Sequence, residues 1–290
     1  MQEEGAGHVS SALTERISLE ARPRFGVRMV GGMPVFEPRL PTGYRAYFTT
    51  RVGGASCGPF ASMNLDPRSG EDPAVAANRE RVARDTGRRL LSPMQVHGLR
   101  VVGASEYLAA EIADAPDGAE PLDRMGEAPC DGLTLNPAID TDLAAVLLFA
   151  DCVPVVMCGE VDMAVAHGGW RGILGGVVQQ AGAAMTGPPG AAVIGPSIGP
   201  CCFTVGQDVA DAFGARFGAE VVLAPKEPGG PARVDLWEAA ARSLEEMGVP
   251  RAGVLNPRLC TVCNNDLFYS YRLEGPVTGR HGCVAWAGAA

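Results

Sequence analysis

Three short apolar runs near the middle of the chain constrain its fold more than any other feature of the sequence. They are Leu143–Phe149, Val153–Met157 and Met163–Ala166, each of strand length and without a charged side chain. Apolar runs of this length, separated by polar or turn residues, are typical of strands that are buried on both faces. From Trp170 to Met185 the apolar residues recur at helical spacing, and this segment ends before a Gly-Pro-Pro sequence. The middle of the chain therefore predicts a mixed α/β arrangement.

Weaker patterns extend this prediction to the rest of the chain. The alternation over Tyr44–Thr50 indicates a strand, and Asp72, followed by a proline, indicates the start of a helix that runs to about Thr86. Asn78 lies on the apolar face of that helix, where we expect a buried hydrogen-bonding role. Further strands are predicted at Ala192–Ile194 and Gly282–Trp286, and further helices near 207–217 and 235–247.

The length of 290 residues fits one large domain. We expect residues 1–24 to be a flexible leader and residues 25–290 to be a single catalytic domain. Residues 109–129 are acidic and rich in Ala, Pro and Gly, so we expect an exposed inserted loop there.

Charge and composition exclude several classes of partner. With 24 basic and 33 acidic residues the formal net charge is −9, which provides no general positive field for nucleic acid or an anionic membrane. The first twenty residues do not resemble a secretory signal, and no apolar stretch has membrane-spanning length. Nine cysteines, an odd number, do not indicate a disulfide framework. We therefore expect a cytoplasmic protein that acts on small molecules; its oligomeric state is not predicted.

The chain has only four histidines, so a histidine-based site has few candidate residues. His8 lies in the leader, and His281 lies at the start of the last predicted strand. His97 and His167 are therefore the stronger candidates. His167 is followed by two glycines that lead into a helix, where the backbone can approach a ligand closely.

A predicted hairpin brings Cys152 to His167. If Gly159 and Glu160 form a two-residue turn, Cys152 lies directly opposite His167 in the ladder. Directly opposed Cβ atoms are roughly 4.5–5.5 Å apart, which allows a thiolate and an imidazole to share a zinc ion at about 2.3 and 2.0–2.1 Å. A buried cysteine that only fills space remains an alternative. So does a Cys–His hydrolase, with Cys152 as nucleophile and His167 as base.

The other cysteine patterns predict little. Cys260 and Cys263 form one C-x-x-C motif without a second pair at zinc-ribbon spacing, which is weak support for a metal or redox site. Cys201 and Cys202 are adjacent, so we expect packing residues rather than ligands of one ion.

Ten short motifs occur in order along the chain: Phe48–Gly54, Ser62–Leu65, Asn78–Arg79, Gln95–Gly98, Ala150–Pro154, His167–Gly172, Gly195–Pro196, Cys260–Thr261, Ser270–Arg272 and Thr278–Arg280. This ordered set resembles the bacterial polyphenol-oxidase-like (laccase-domain) family, whose members are also described as purine nucleoside phosphorylases and as peptidoglycan editing factors. The resemblance implies a single-domain, layered α/β/β/α sandwich with mixed sheets. It also implies one zinc ion per chain, with His97, Cys152 and His167 as ligands.

The implied activity is phosphorolysis of purine nucleosides, with adenosine deamination in some family members. The expected substrates are phosphate with adenosine, inosine and possibly guanosine and methylthioadenosine. Three protein ligands leave zinc a fourth position for water or substrate, as in catalytic zinc sites. The chain departs from the family pattern at Thr204 for Glu, Gly168 for Ala and Cys130 for a small residue, and in the long 109–129 insertion; none of these removes a metal ligand, but Thr204 and the insertion leave the substrate preference open.

The remaining site residues are assigned by their neighbours. Arg51 and Arg171 lie beside glycines and suit bidentate contact with phosphate oxygens, and Asn64 is grouped with them as a substrate-binding residue. Asp151, next to Cys152, is expected to orient a ligand or to transfer a proton.

Two alternatives to a phosphorylase come from the family's other names. One is a non-catalytic or hydrolytic role with cell-wall precursors; the other is copper-dependent phenol oxidation, which four histidines do not favour.

Overall fold

The apolar runs form part of two sheets that pack against each other. The protein is described by a computed structural model covering residues 10–69, 72–113 and 125–288. Within the described residues the strands form a seven-stranded sheet, a six-stranded sheet and a small sheet of three strands.

The strands are β1 Phe25–Val30, β2 Met33–Pro38, β3 Tyr44–Thr49, β4 Arg89–Met94, β5 Val101–Gly103, β6 Met125–Pro129, β7 Gly132–Leu135, β8 Leu143–Phe149, β9 Val153–Cys158, β10 Met163–Gly168, β11 Ala191–Ile194, β12 Thr204–Val205, β13 Val222–Leu223, β14 Ala232–Val234, β15 Val254–Leu255 and β16 His281–Ala287. The α-helices are α1 Val75–Thr86, α2 Ala104–Ala113, α3 Trp170–Gly175, α4 Val177–Ala183, α5 Gln207–Phe217, α6 Leu236–Glu246 and α7 Tyr271–Glu274. Short 3-10 helices are Arg22–Arg24, Gly58–Phe60, Pro67–Ser69, Ala219–Val221 and Arg251–Gly253.

The seven-stranded sheet has the strand order β1-β2-β3-β16-β8-β4-β6, and the six-stranded sheet has the order β15-β11-β9-β10-β7-β5. The small sheet has the order β12-β14-β13. Both large sheets are mixed, since β4 runs parallel to β8 and β5 runs parallel to β7 among antiparallel neighbours.

Strand β8 shows why the central runs are apolar throughout. Leu147 points into the layer between the large sheets, in one buried cluster with Val156 of β9 and Val165 of β10. The next residue back, Val146, lies in a second cluster with Val82 of α1. Successive side chains of a strand point to opposite faces, so a strand with both faces covered needs apolar residues at every position.

Strand β9 is covered in the same way by the helices on the outer face of its sheet. Val155 shares a buried cluster with Ile173 of α3, Val178 of α4 and Leu244 of α6. The layers are therefore helix, sheet, sheet and helices. The predicted single-domain α/β/β/α sandwich with mixed sheets is confirmed.

The predicted register of the β9–β10 hairpin is wrong by two residues. His167 pairs with Pro154, not with Cys152, because the connection spans residues 159–162 and is closed by a hydrogen bond from Gly159 N to Asp162 O at 2.9 Å. A shift of two residues preserves the face on which each side chain lies, whereas a shift of one reverses it. Cys152 and His167 therefore remain diagonal neighbours at the same edge.

Two predicted helices differ from the prediction in their limits. Helix α1 begins at Val75, and Asp72 precedes it, with its side chain accepting the N–H of Ala74 at 3.1 Å. The helix ends at Thr86 as predicted. The single helix predicted from Trp170 onward is two, α3 and α4, because Gly176 between them has a left-handed φ of 95°.

The loop predicted at 109–129 is partly regular structure. Residues 109–113 complete α2, and residues 125–129 form β6 beside β4; residues 114–124 lie outside the described residues. The buried side chains of Tyr107 and Glu111 explain the difference. The Tyr107 hydroxyl donates to Ala128 O at 2.9 Å, and the Glu111 carboxylate accepts the Ala128 N–H at 2.8 Å, which fixes β6 to the helix.

The described part of the predicted leader packs on the domain. Residues 10–14 are helical, and Leu13, Ile17 and Ala21 are buried in the cluster between the sheets. The expectation of a loose segment is therefore wrong for residues 10–24, because apolar residues recur every four positions there; residues 1–9 lie outside the described residues. No helix of the described residues is long and apolar enough to cross a bilayer.

Candidate functional site

Three predicted ligands converge at one edge of the layer between the sheets. His97 lies in the loop after β4, Cys152 in the turn between β8 and β9, and His167 near the end of β10. Their ligand atoms all lie within 4.8 Å of one another, and Cys152 Sγ is 3.5 Å from His97 Nε2. A tetrahedral zinc ion holds a sulfur and a nitrogen ligand about 3.6 Å apart. The observed separation therefore fits one shared metal ion.

The loop that carries His97 is shaped by a buried carboxylate, that of Asp131. Asp131 is 0% exposed and accepts three successive backbone N–H groups, from Val96 at 3.2 Å, His97 at 2.9 Å and Gly98 at 2.7 Å. His97 has a φ of 60°, a left-handed conformation uncommon for residues other than glycine. The three hydrogen bonds stabilise that conformation.

Asp131 also orients the second imidazole. His167 Nδ1 is 2.8 Å from Asp131 Oδ1, so Nε2 is the ring nitrogen left to bind a metal ion. One carboxylate thus positions two of the three candidate ligands. Sequence reasoning missed this role, because an acidic residue just before a strand has no distinctive pattern.

Electrostatics favours an ionised thiol at Cys152. Burial raises its pKa, but the charge of His167 and hydrogen bonds from His167 and His97 lower it to about 6. Burial lowers the pKa of His167, whereas the Cys152 charge and the Asp131 hydrogen bond raise it to about 9. Burial also raises the pKa of Asp131, but the hydrogen bond and charge of His167 and the backbone N–H groups of Gly98 and Val96 together lower it. The thiolate is the form of cysteine that binds metals and attacks electrophiles.

The glycine after β10 allows these groups to meet. A Cβ atom at Gly169 would lie 2.5 Å from Cδ2 of His97 and 3.5 Å from Cys152 Sγ. Any larger residue would displace His97. His97 itself is exposed and Cys152 is half-buried, so the site is open to solvent on one side.

Asp151 supports the turn that carries Cys152. Asp151 has a φ of 91°; its Oδ1 accepts from Thr261 Oγ1 at 2.6 Å, and its Oδ2 accepts from Arg272 N at 2.6 Å. Its backbone oxygen accepts the N–H of Ile198 at 2.9 Å. These contacts are those of a residue that positions Cys152 through the backbone.

Arg51 has protein partners for most of its donors. Its Nε donates to Ala61 O at 3.0 Å, and its Nη1 donates to Asn265 O at 3.0 Å and to Glu274 Oε1 at 2.9 Å. The side chain is 15% exposed. Such an arginine ties together separate segments of the chain, which differs from the phosphate-binding role expected for it.

Arg171 is in a different situation. It is the second residue of α3 and is exposed, with its guanidinium 4.3 Å from the centroid of the Trp170 ring. It makes no hydrogen bond or ion pair within the part of the chain that the structure describes. Arg171 follows Gly169 by two residues, and its guanidinium donors are open to solvent.

Asn64 is fully buried, and both polar atoms of its side chain have protein partners. Its Nδ2 donates to Ser69 Oγ at 2.9 Å and to Asp72 Oδ2 at 3.0 Å. Its Oδ1 accepts the N–H groups of Asp66 at 3.1 Å and of Arg280 at 2.9 Å. Asn64 therefore holds the backbone of Arg280 instead of facing a substrate.

Arg280 is a residue that the sequence prediction did not single out. Its guanidinium donates to the backbone oxygen of Thr278 at 2.8 Å. Burial lowers its pKa, and the charges of Asp66, Cys152 and Asp151 offset only part of this lowering. A cation influenced by the Cys152 charge lies close to the site.

His281 is excluded from the cluster, as its sequence position indicated. It is 1% exposed, with its ring packed near Phe149 and Phe268 at centroid distances of 6.5 and 5.3 Å. Neither ring nitrogen has a hydrogen-bond partner among the described residues. Burial lowers its pKa to about 3, so the ring is neutral.

Comparisons with known proteins agree over most of the chain. The model of a family described as multi-copper polyphenol oxidoreductase laccase matches residues 45–288. The protein named purine nucleoside phosphorylase YlmD from Geobacillus stearothermophilus is 34% identical over 254 residues, which cover 81% of this chain and 87% of that protein. Purine nucleoside phosphorylase PA4543 from Pseudomonas aeruginosa is 34% identical over 253 residues, covering 85% and 94%. The crystal structure of YlmD superimposes with a TM-score of 0.74 at 30% identity, covering 92% of this chain and 99% of that one.

Proposed function

The chain belongs to the multi-copper polyphenol oxidoreductase laccase family, and from that premise we propose that it is a zinc-dependent purine nucleoside phosphorylase. One observation carries the proposal: a thiol and two imidazoles meet at one point in a chain whose matched relatives are named purine nucleoside phosphorylases. The substrates are phosphate and a purine nucleoside: adenosine, inosine, guanosine or methylthioadenosine.

The donor set fits zinc better than a multi-copper centre. One thiolate with two imidazoles is a set that zinc accepts, with a position left for substrate. A multi-copper oxidase needs many more imidazoles, and within the described residues only His97 and His167 belong to a possible metal cluster. When bound, zinc supplies a Lewis acid at the open side of the site.

The protein groups have distinct tasks in phosphorolysis. The bond between the sugar carbon and the base nitrogen breaks, the base leaves with the electron pair, and a phosphate oxygen bonds to the sugar carbon. We assign phosphate binding to Arg171, whose donors face solvent, and a supporting charge to Arg280. Arg51 and Asn64 position the surrounding loops, and Asp151 positions Cys152.

Deamination of adenosine is a second reaction to test at the same site. It requires water at the ring carbon that carries the amino group, and it does not require phosphate. Replacing Arg171, the residue assigned to phosphate binding, would therefore leave the rate of deamination unchanged.

A Cys–His hydrolase acting on cell-wall precursors is the second candidate. In space, His167 lies between Cys152 and Asp131, which is the arrangement of a nucleophile, a base and the acid that orients the base. The position of His97 favours the metal over this alternative. Its Nε2 is 3.5 Å from the same sulfur, and a triad has no task for a second imidazole there.

A product assay tests the proposal. The purified protein is incubated with each of the four nucleosides, with and without phosphate, and the products are identified by chromatography. We expect free base and pentose 1-phosphate in equal amounts, only with phosphate, and loss of both after zinc is removed by a chelator. A hydrolase would instead resist the chelator and lose activity on alkylation of Cys152.

A further inference from the structure

Four other cysteines meet at a second point, which the sequence did not predict. Cys201 and Cys202 follow the loop after β11, and Cys260 and Cys263 follow β15. Cys263 Sγ is 3.5 Å from Cys201 Sγ and 3.6 Å from Cys202 Sγ. All four sulfur atoms lie within 4.8 Å of one another, and none forms a disulfide. Cys201 and Cys202, expected to be packing residues, therefore lie in a group of four thiols that could hold one ion.

The spacing is that of ligands around one ion. Tetrahedral zinc with bonds of about 2.3 Å holds its sulfur ligands about 3.8 Å apart, close to the two measured separations. A disulfide requires about 2.05 Å. Packing in an apolar core does not explain the group either, since Cys263 is exposed and Cys201 and Cys202 are half-buried.

The protein surroundings stabilise a thiolate at Cys260 but not at its neighbours: burial raises the pKa of Cys201, and raises that of Cys202 to about 11. The backbone N–H of Gly199 donates to Cys260 Sγ at 3.3 Å. Burial raises the pKa of Cys260, but the backbone N–H groups of Cys263 and Gly199 and the neighbouring thiols together lower it. Arg272, which donates to Cys202 O at 3.3 Å, places a positive charge beside the group. Four thiolates at this distance repel each other unless a cation lies between them.

We propose that Cys201, Cys202, Cys260 and Cys263 bind one structural zinc ion, a second zinc site in the chain. Each thiol releases one proton as it binds, so four protons leave and the site with Zn²⁺ has a charge of −2. Four protein ligands leave no position for a substrate, which is typical of structural zinc.

The second zinc joins two turns that support the first site. Thr261, inside the C-x-x-C turn, donates to Asp151 Oδ1 at 2.6 Å, and Arg272 donates its N–H to Asp151 Oδ2 at 2.6 Å. Asp151 in turn precedes Cys152. Zinc bound by the four cysteines therefore holds the segment on which the Cys152 turn rests. This inference does not depend on the proposed reaction.

Metal analysis by mass spectrometry of the purified full-length protein tests the inference. We expect two zinc ions per chain in the wild type and one in Cys263→Ser, which changes an exposed residue. Cys152→Ser should also retain one zinc ion, which is the ion bound by the four cysteines. Cys57→Ser is the matched control, because Cys57 is exposed and belongs to neither cluster, and it should retain two.

Cobalt substitution shows which site is lost. The thiolate-to-cobalt absorption should fall strongly in Cys263→Ser and only slightly in Cys152→Ser, because the first site has one sulfur ligand and the second has four. One zinc per wild-type chain that Cys263→Ser retains would overturn the inference. So would iron in place of zinc, or a disulfide between Cys263 and Cys201 or Cys202 in protein purified under reducing conditions. The wild-type count remains decisive even if Cys263→Ser fails to fold.

Discussion

Replacing Asp131 by asparagine is the sharpest test of how the first site is built. Asp131 Oδ1 accepts from His97 N and His167 Nδ1, and Oδ2 accepts from the N–H groups of Val96 and Gly98. An amide replaces one of these oxygens by an NH₂ group, so two donors lose their acceptor. If the NH₂ group faces His167, it donates to Nδ1 and favours the tautomer with a proton on Nε2, which cannot bind a metal ion.

The magnitude follows from these contacts. Each buried donor left without a partner costs about 1–3 kcal/mol, so Asp131→Asn should lower the free energy of unfolding by roughly 2–6 kcal/mol. Loss of a partner that orients a metal ligand weakens metal binding by about 10–100-fold, which is about 1.4–2.7 kcal/mol.

A chelator competition measures the zinc affinity, and urea unfolding measures the stability. Asp140→Asn is the matched control: Asp140 is also buried, accepts the N–H groups of Ser105 at 3.1 Å and Asn136 at 2.7 Å, and contacts none of the three ligands. It should lose stability while its zinc affinity stays at the wild-type value. Equal zinc affinities in Asp131→Asn and the wild type would refute the reasoning. A similar loss in Asp140→Asn would show that the effect is general destabilisation.

Four further predictions concern the same site. In metal-free protein, alkylation of Cys152 should be fast above pH 6 and slow as the pH falls through about 6, since only the thiolate reacts; a midpoint near that of an ordinary cysteine, about 8.5, would contradict the geometry. Gly169→Ala should lose zinc to a chelator faster than the wild type at unchanged circular dichroism, because the added Cβ would lie 2.5 Å from Cδ2 of His97; equal rates of loss would mean that the loop adapts freely. Arg171→Ala should raise the KM for phosphate by about tenfold, or about 1.4 kcal/mol, and leave the nucleoside KM unchanged. Arg51→Ala should mainly lower the Tm, because it loses three hydrogen bonds; a normal Tm with a raised phosphate KM would return phosphate binding to Arg51.

The central layers could be predicted from the sequence because local pattern determines them. The apolar runs that became β8, β9 and β10 are buried on both faces, and periodicity shows this directly. The grouping of Cys152 with His167 was also predictable despite the wrong register, since the error of two residues left both side chains on the same face.

The contacts that were missed depend on segments distant in the sequence. Asp131 organises the site only because the loop after β4 folds over it. The adjacent Cys201 and Cys202 meet the C-x-x-C turn through the packing of two loops. Arg51 beside its glycines resembles an anion ligand until the chain brings Glu274 within 2.9 Å of it. None of these distances can be obtained from local pattern.

The central claim is that the centre formed by His97, Cys152 and His167 carries phosphate-dependent cleavage of purine nucleosides. The most direct measurement adds zinc stepwise to metal-free protein and follows release of hypoxanthine from inosine with and without phosphate, in the wild type and in Cys152→Ser. We predict that the phosphate-dependent rate of the wild type rises with bound zinc to a plateau, and that Cys152→Ser stays at background at every zinc level. A Cys152→Ser curve that follows the wild type, or full activity without zinc, would contradict the account.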